Sequence, residues 1–191
     1  MIDVIAVDRL APQPWRNGGG FTRELLAWPS AHDWLARISV ADINRDGAFS
    51  AFPGIDRWFA VVEGNGVVLR FASHRAILDV HSDPLQFDGA ATPMAELQDG
   101  ATRDLNLMIR RDAATGGLQR ATPDAEWFHA ASLRALFVTS PARLQIDDAD
   151  AAHLPAFALA WSAHAQRQRW RFVADVEPVT ALWLWCRPQA R

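Results

Sequence analysis

Two arginines stand where a strand could aim them at an interior. In Asp46-Gly47-Ala48-Phe49-Ser50-Ala51-Phe52-Pro53-Gly54-Ile55-Asp56-Arg57-Trp58, the Gly and Pro residues set turns, the aromatics can pack as a lid or plug, and Arg57 opens a strand beside Asp56. Alternation gives Arg57 the same strand face as Phe59, Val61 and Glu63, and an arginine pointing into a barrel is a ready partner for a carboxylate. In Asp104-Leu105-Asn106-Leu107-Met108-Ile109-Arg110-Arg111, the same period puts Leu105, Leu107 and Ile109 on one face and Asp104, Asn106, Met108 and Arg110 on the other. That polar face either meets water outside or lines a mixed cavity inside, where Asn106 and Arg110 would orient a ligand, and Met108 leans toward the cavity.

A third stretch, Trp15-Arg16-Asn17-Gly18-Gly19-Gly20-Phe21-Thr22-Arg23-Glu24, holds three consecutive glycines. Their entropic cost suggests unusual φ values or close approach by a backbone or a ligand. Successive N–H groups could form an anion-binding nest near Arg16 or Arg23, and a tight turn across a barrel mouth fits equally well. A nucleotide loop does not fit, because no Lys-Ser/Thr follows and a strand comes next.

Other chemistries find less support. The histidines at 32, 74, 81, 129, 153 and 164 are scattered, with no His-x-His to point two imidazoles inward from one strand, so no metal is expected. Ser39, Ser50 and Ser140 lack a G-x-S-x-G elbow, and Cys186 in Leu182-Trp-Leu-Trp-Cys186 reads as a buried, inert thiol. Glu24, Glu63 and Asp104 could converge inside a barrel as acid–base groups, at separations the sequence does not give.

The elements that must position these residues are strands. Period-two alternation marks Ile2–Val7, Phe21–Ala27, Trp34–Ala41, Trp58–Val62, Val67–Phe71, Arg75–Leu78 and Asp104–Arg110, then Arg134–Thr139, Arg143–Ile146, Ala156–Trp161, Trp170–Val176 and Thr180–Cys186. Many short strands with little helix between them mean a sandwich or barrel. Glu63-Gly64-Asn65-Gly66 reads as a hairpin turn. Small residues at 112–118 divide the chain into an N-terminal half at 1–112, a linker at 113–118 and a C-terminal half at 119–191. Trp183 and Trp185 alternate with Leu182 and Leu184 in the last strand, which points to a sheet-to-sheet interface or a homodimer contact.

The chain has 191 residues, half of them hydrophobic, enough to bury a core. Its net charge is −3 and its nineteen basic residues are all arginine, spread among acids. No positive footprint for nucleic acid or an anionic membrane emerges, and Arg167, Arg169 and Arg171 read as one solvated strand face opposite Trp170 and Phe172. One cysteine and no apolar run of spanning length fit a cytoplasmic protein.

The three glycine, Phe-Pro-Gly and Asp-Asn segments occur in order and together resemble the signatures of the HutD/Ves family: Trp-x-Asn-Gly-Gly-Gly, Gly-x-Phe-Ser-x-Phe-Pro-Gly-x-Asp-Arg and Asp-x-Asn-Leu-Met. The likeness lies in about the first 111 residues; the remainder matches in length and strand pattern. The resemblance implies an all-β double cupin, or bicupin, with two small β-barrels in one chain. It also implies a regulatory role in histidine utilisation, through binding an acid such as formylglutamate, or a place in stress response. The site expected from the residues is Arg57 and Arg110 on an anionic group, Asn106 and Thr22 supplying hydrogen bonds, and Phe49 and Phe59 as an apolar wall, with no cofactor. The alternatives are a metal-independent enzyme acting on a sugar or amino-acid derivative through Glu24 or Glu63, and a structural or partner-binding module.

Overall fold

A computed structural model describes residues 2–164 and 167–189. The chain is all-β: among the described residues it contains strands and a single 3-10 turn, Val7–Arg9. In chain order the strands are β1 (Asp3–Ala6), β2 (Gln13–Pro14), β3 (Gly20–Trp28), β4 (Ala36–Ile43), β5 (Gly47–Ala48), β6 (Ile55–Glu63), β7 (Val67–Arg70), β8 (Arg75–Leu78), β9 (Leu85–Asp88), β10 (Met94–Leu97) and β11 (Thr102–Arg110). They continue as β12 (Ala114–Arg120), β13 (Trp127–Phe128), β14 (Leu133–Val138), β15 (Ala142–Ile146), β16 (Ala152–Leu154), β17 (Ala158–Ser162), β18 (Arg169–Ala174) and β19 (Ala181–Pro188). No helix among the described residues is long and apolar enough to cross a membrane.

The chain forms two compact units. Leu10–Thr115 holds a six-stranded sheet, in the order β2-β3-β4-β11-β6-β9, and a four-stranded sheet, β5-β10-β7-β8. The inner faces of these sheets meet in a core that includes Ile43, Phe59, Val61, Val67, Leu69 and Leu78. β6 runs Ile-Asp-Arg-Trp-Phe-Ala-Val-Val and is buried nearly throughout, as a strand flanked by β11 and β9 must be.

The other unit contains the residues from Gly116 onward and a five-stranded sheet, β1-β17-β14-β19-β12, with a four-stranded sheet, β13-β18-β15-β16. Its core includes Trp127, Leu136, Leu144, Trp170, Phe172 and Trp183. β18 keeps the alternation read from its sequence, with Arg169 and Arg171 exposed and Trp170 and Phe172 buried.

Several local expectations change. Residues 113–118, which contain the division between the units at Thr115 and Gly116, lie largely in β12, where a Cβ on Gly117 would stand 2.5 Å from the Trp185 indole nitrogen, so Gly117 serves packing against an indole. β1 belongs with the C-terminal unit, because it pairs with β17 from Asp3↔Trp161 to Ala6↔Ala158, a partner that local periodicity does not reveal. Glu63–Gly66 is no hairpin: β6 and β7 lie in different sheets, and Gly64 and Gly66, at φ of 95° and 103°, carry the chain from one to the other. Trp183 is buried in its own unit and stacks on Trp127 at 4.7 Å, while Trp185 stacks on His129 at 4.2 Å. Trp183 therefore fills the sheet-to-sheet core, and the half-buried Trp185 packs against it.

The glycine segment closes a turn between β2 and β3. The Gly18 N–H donates to the Trp15 carbonyl and the Gly19 N–H to Asn17 Oδ1, so both are spent within the turn rather than left as an anion nest. Gly20 is the position that tolerates no side chain, because its Cβ would stand 2.1 Å from the Asp42 carbonyl oxygen. Gly20→Ala should cost about 1–3 kcal/mol through forced separation of β3 and β4. A urea midpoint equal to that of the wild type would show that the contact yields freely.

Candidate functional site: a polar cavity walled by a buried arginine

The six-stranded sheet of Leu10–Thr115 presents rows of facing residues to its interior. Thr22, Ala41, Asp104 and Val61 form one cross-strand row, and Glu24, Ser39, Asn106 and Phe59 form the next. Arg37, Met108 and Arg57 form a third. The register between β11 and β6 shifts between Arg103 and Asp104, with Val62 the extra residue of β6, so Glu63 comes opposite Arg103 while Val61 stays opposite Asp104. Arg103 pairs with Asp42 and Glu63, whereas Asp104 joins Asn106 and Met108 in lining a cavity of about 410 Å³. The remaining walls come from the Pro14–Asn17 segment and from Ala48, Phe49, Ser50 and Phe52.

Arg57 is the dominant group. It is 6% exposed and its Nη2 donates to Asn106 Oδ1 at 2.8 Å, while its Nε and Nη1 have no protein partner. Three rings surround the guanidinium, Phe49 at 5.0 Å, Phe52 at 5.6 Å and Phe87 at 5.2 Å, which favours the cation through their faces. Burial lowers its pKa to about 10, with Arg37 adding to the effect and Asp104 opposing it, so Arg57 stays charged at neutral pH.

Asn106 passes its other end to Asp104, its Nδ2 donating to Asp104 Oδ1. Asp104 is 1% exposed and its Oδ2 is unpartnered. Burial pushes its carboxyl up to about 8, against the Arg57 charge and the Asn106 hydrogen bond and with a smaller push from Asp42. Arg37 is held by Glu24 at 2.5 Å. The cavity thus combines an open, buried cation with a carboxyl group protonated at neutral pH, connected by one amide.

The expected site residues divide. Thr22, Phe49, Arg57 and Asn106 all line the cavity. The Thr22 hydroxyl already accepts the Trp15 indole N–H at 2.7 Å. Phe59 is fully buried behind the wall, tilted against Phe49 at 5.7 Å, and supports that ring rather than meeting a ligand. Arg110 is a correction: although it shares a strand face with Asp104 and Asn106, it lies outside the cavity lining at the end of β11, where Asp33 binds its Nη2 at 2.7 Å. Glu24 is absorbed by Arg37, and Glu63 lies in an outer groove with Arg23, Asp42 and Arg103, so neither reaches the cavity as a base.

Sequence reasoning missed Arg37, Ser39 and Phe87. Phe87 lies on β9, a four-residue edge strand whose Leu-Gln-Phe-Asp alternation is too short to stand out. Arg37 and Ser39 alternate with Ile38 and Val40 in β4, a signal that was present but carried no motif.

Asp104 is the cavity lining's sole carboxylate and no imidazole joins it, a donor set that does not fit a metal ion. Among the described residues no group of three or more His, Cys, Asp or Glu stands close enough to hold one. Cys186, fully buried, has its thiol pushed up to about 12 by burial and is not a nucleophile at neutral pH.

Known proteins place this arrangement. The HutD family model matches residues 8–180, well beyond the segments that carry the three motifs. The chain belongs to the HutD family. It is 39% identical over 100 residues to protein Ves of Citrobacter koseri, a match covering 51% of this chain and 52% of Ves, so it spans about half the length of that relative. A 21.2 kDa protein of the hutC 3′ region in Pseudomonas putida is 32% identical over 129 residues, 66% of this chain and 68% of its own length. A crystal structure of a conserved protein from Pseudomonas aeruginosa PAO1 superposes with a TM-score of 0.87 at 27% identity, over 98% of this chain and 99% of the other. HutD from Pseudomonas fluorescens SBW25 gives 0.86 at 22% identity over the full length of both chains. A cupin 2 conserved barrel domain protein from Leptotrichia buccalis gives 0.57 at 11%, over 98% and 96%, so this all-β family is cupin-like in fold.

The raised Asp104 carboxyl makes stability depend on pH. Between about 4 and about 8 the folded chain keeps this proton and the unfolded chain has lost it, so folding free energy should fall as pH rises through that window. The expected slope from this group is roughly 1 kcal/mol per pH unit, and Asp104→Asn should remove it. Urea unfolding of both chains at pH 5 and pH 8 measures the difference, and parallel losses in the two would refute the assignment.

Proposed function

We propose that the chain is a bicupin of the cytoplasm whose N-terminal barrel, the Leu10–Thr115 unit, binds a small carboxylic acid without turning it over. The observation that carries this reading is the Arg57 guanidinium, buried with two of its nitrogens unpartnered at the wall of a cavity. A buried cation without a hydrogen-bonded counter-charge is costly, and a ligand carboxylate accepting from those free N–H groups would offset much of that cost. The volume of about 410 Å³ suits a molecule of amino-acid size. Phe49 and Phe52 offer apolar contact on one side, and Thr22, Ser39 and Asn106 offer polar contact on the other.

Family membership and the relative from the hutC 3′ region make histidine utilisation the pathway of choice, and formylglutamate the first candidate ligand. Binding of such an intermediate would report pathway flux, a regulatory role. A second reading draws support from Asp104: a carboxylic acid that keeps its proton at neutral pH inside a cavity is equipped for general acid catalysis. Turnover of formylglutamate or a related acid by the purified protein, lost in Asp104→Asn, would favour that reading over simple binding.

Calorimetric titration with formylglutamate, glutamate, urocanate and formiminoglutamate tests the proposal. Arg57→Ala should weaken binding at least about a hundredfold, the scale of a buried charge-assisted pair. Arg110→Ala, remote from the cavity, should leave affinity within about twofold. Equal losses in the two variants, or retained affinity in Arg57→Ala, would place the ligand elsewhere.

A further inference from the structure

Asp104 poses a problem that Arg57 alone does not resolve. Its Oδ1 is taken by Asn106, its Oδ2 is buried without a partner, and both Asp104 and Asn106 line the cavity. The groups facing it are Arg57 from β6, Arg37 and Ser39 from β4, Thr22 from β3 and Asn106 from its own strand, with Arg16 on the far wall. Asp42 acts on it electrostatically, and no histidine lines the cavity. Arg37 is already neutralised by Glu24 and Arg16 is exposed to solvent, which leaves Arg57 and Asp104 as the buried groups that decide the charge a ligand meets inside.

With Asp104 ionised, the pair would be self-compensated and an incoming anion would find no net attraction. With Asp104 protonated, Arg57 is the uncompensated charge and the Oδ2–H becomes a second donor. An anion seated on Arg57 therefore binds best to the protonated form, since the anion repels a carboxylate and accepts from an acid.

We propose that Asp104 is a specificity residue of this cavity: it meets the ligand as a carboxylic acid, its Oδ2–H donating to the anion that Arg57 holds. The inference rests on the reading of the cavity as an anion site. It adds a selection rule, because a neutral acid beside a fixed cation favours ligands that present only acceptor oxygens there. A free ammonium group would face Arg57 with no carboxylate to balance it. The cavity should therefore take N-acylated amino acids or simple dicarboxylates and reject the corresponding zwitterions. The raised Asp104 carboxyl, near 8 through burial, agrees with this protonation state.

The experiment is a titration of the full chain with N-formylglutamate from pH 6 to 9.5, for the wild type and Asp104→Asn, with calorimetry in buffers of different ionisation enthalpy. The wild type should weaken by about tenfold per pH unit once pH passes the Asp104 titration point, and should take up a fraction of a proton on binding near pH 8. Asp104→Asn, whose amide also donates and cannot ionise, should flatten the profile and abolish the proton uptake. Carboxyl carbon resonances of labelled aspartate, assigned by the signal missing from Asp104→Asn, should place the Asp104 titration above pH 7. A flat or rising wild-type affinity, or an Asp104 signal titrating below pH 6, would overturn the role of Asp104 and leave the anion reading standing. Absence of binding at every pH would defeat both.

Discussion

A guanidinium held in a low-dielectric interior constrains everything around it. Burial of Arg57 carries a desolvation cost of several kcal/mol unless its charge and its N–H groups find partners. The fold supplies some of these and withholds others. Asn106 takes one nitrogen, and Phe49, Phe52 and Phe87 turn their rings toward the cation at 5.0 to 5.6 Å. Two nitrogens remain without protein partners. A folded chain that carries such a deficit stores binding energy at that point, because the ligand that completes the set recovers what folding left unsatisfied.

Much of the surrounding structure follows from keeping that arginine in place. β6 must be central so that Arg57, Phe59 and Val61 face inward, and β11 must lie beside it so that Asn106 can reach Arg57 diagonally across the ladder. Alternation along β11, unbroken against β4, then puts Arg103 and Asp104 on opposite faces and separates two charge systems. On the outer side Arg23 and Arg103 share Asp42 in a half-buried network, while on the inner side Asp104 is fully buried without a hydrogen-bonded cation and its carboxyl is pushed up. Placed on the outer face, Asp104 would be an ordinary ionised surface carboxylate.

The sequence was legible where a local pattern was strong. Alternation set Arg57 and Asn106 on strand faces that could turn inward, the aromatics of a turn-rich segment offered Phe49, and all three line the cavity. Legibility failed where position depended on partners distant in the chain. Arg110 satisfies the alternation of β11, yet it sits at the strand end where Asp33 draws it away, and period-two reasoning has no sense of how far a cavity extends along a strand. Glu63 shares the nominal face of Arg57, but the extra residue Val62 reverses the alternation before it, and Arg103 claims it. The strand β1 was read correctly as a strand, and only its pairing with β17 reveals that it completes the other unit.

The C-terminal unit shows why the presence of a buried arginine is not enough to make a site. Arg134 is as fully buried as any residue in the chain and lies 5.3 Å over the Trp170 ring, a setting that parallels Arg57 and its phenylalanines. Its terminal nitrogens, however, are spent on the chain itself: Nη1 donates to the Gln168 carbonyl, and Nη2 to the His164 carbonyl and to Gln168 Oε1. Those acceptors are neutral, so they satisfy geometry without cancelling charge, and burial lowers the Arg134 pKa while Asp147 opposes that shift. A ligand arriving at Arg134 would have to displace hydrogen bonds already made, whereas one arriving at Arg57 makes bonds where none exist. The difference in open donor capacity, two unpartnered nitrogens at Arg57 against Nε alone at Arg134, rather than in burial or in aromatic setting, is why the proposed site lies in the first unit.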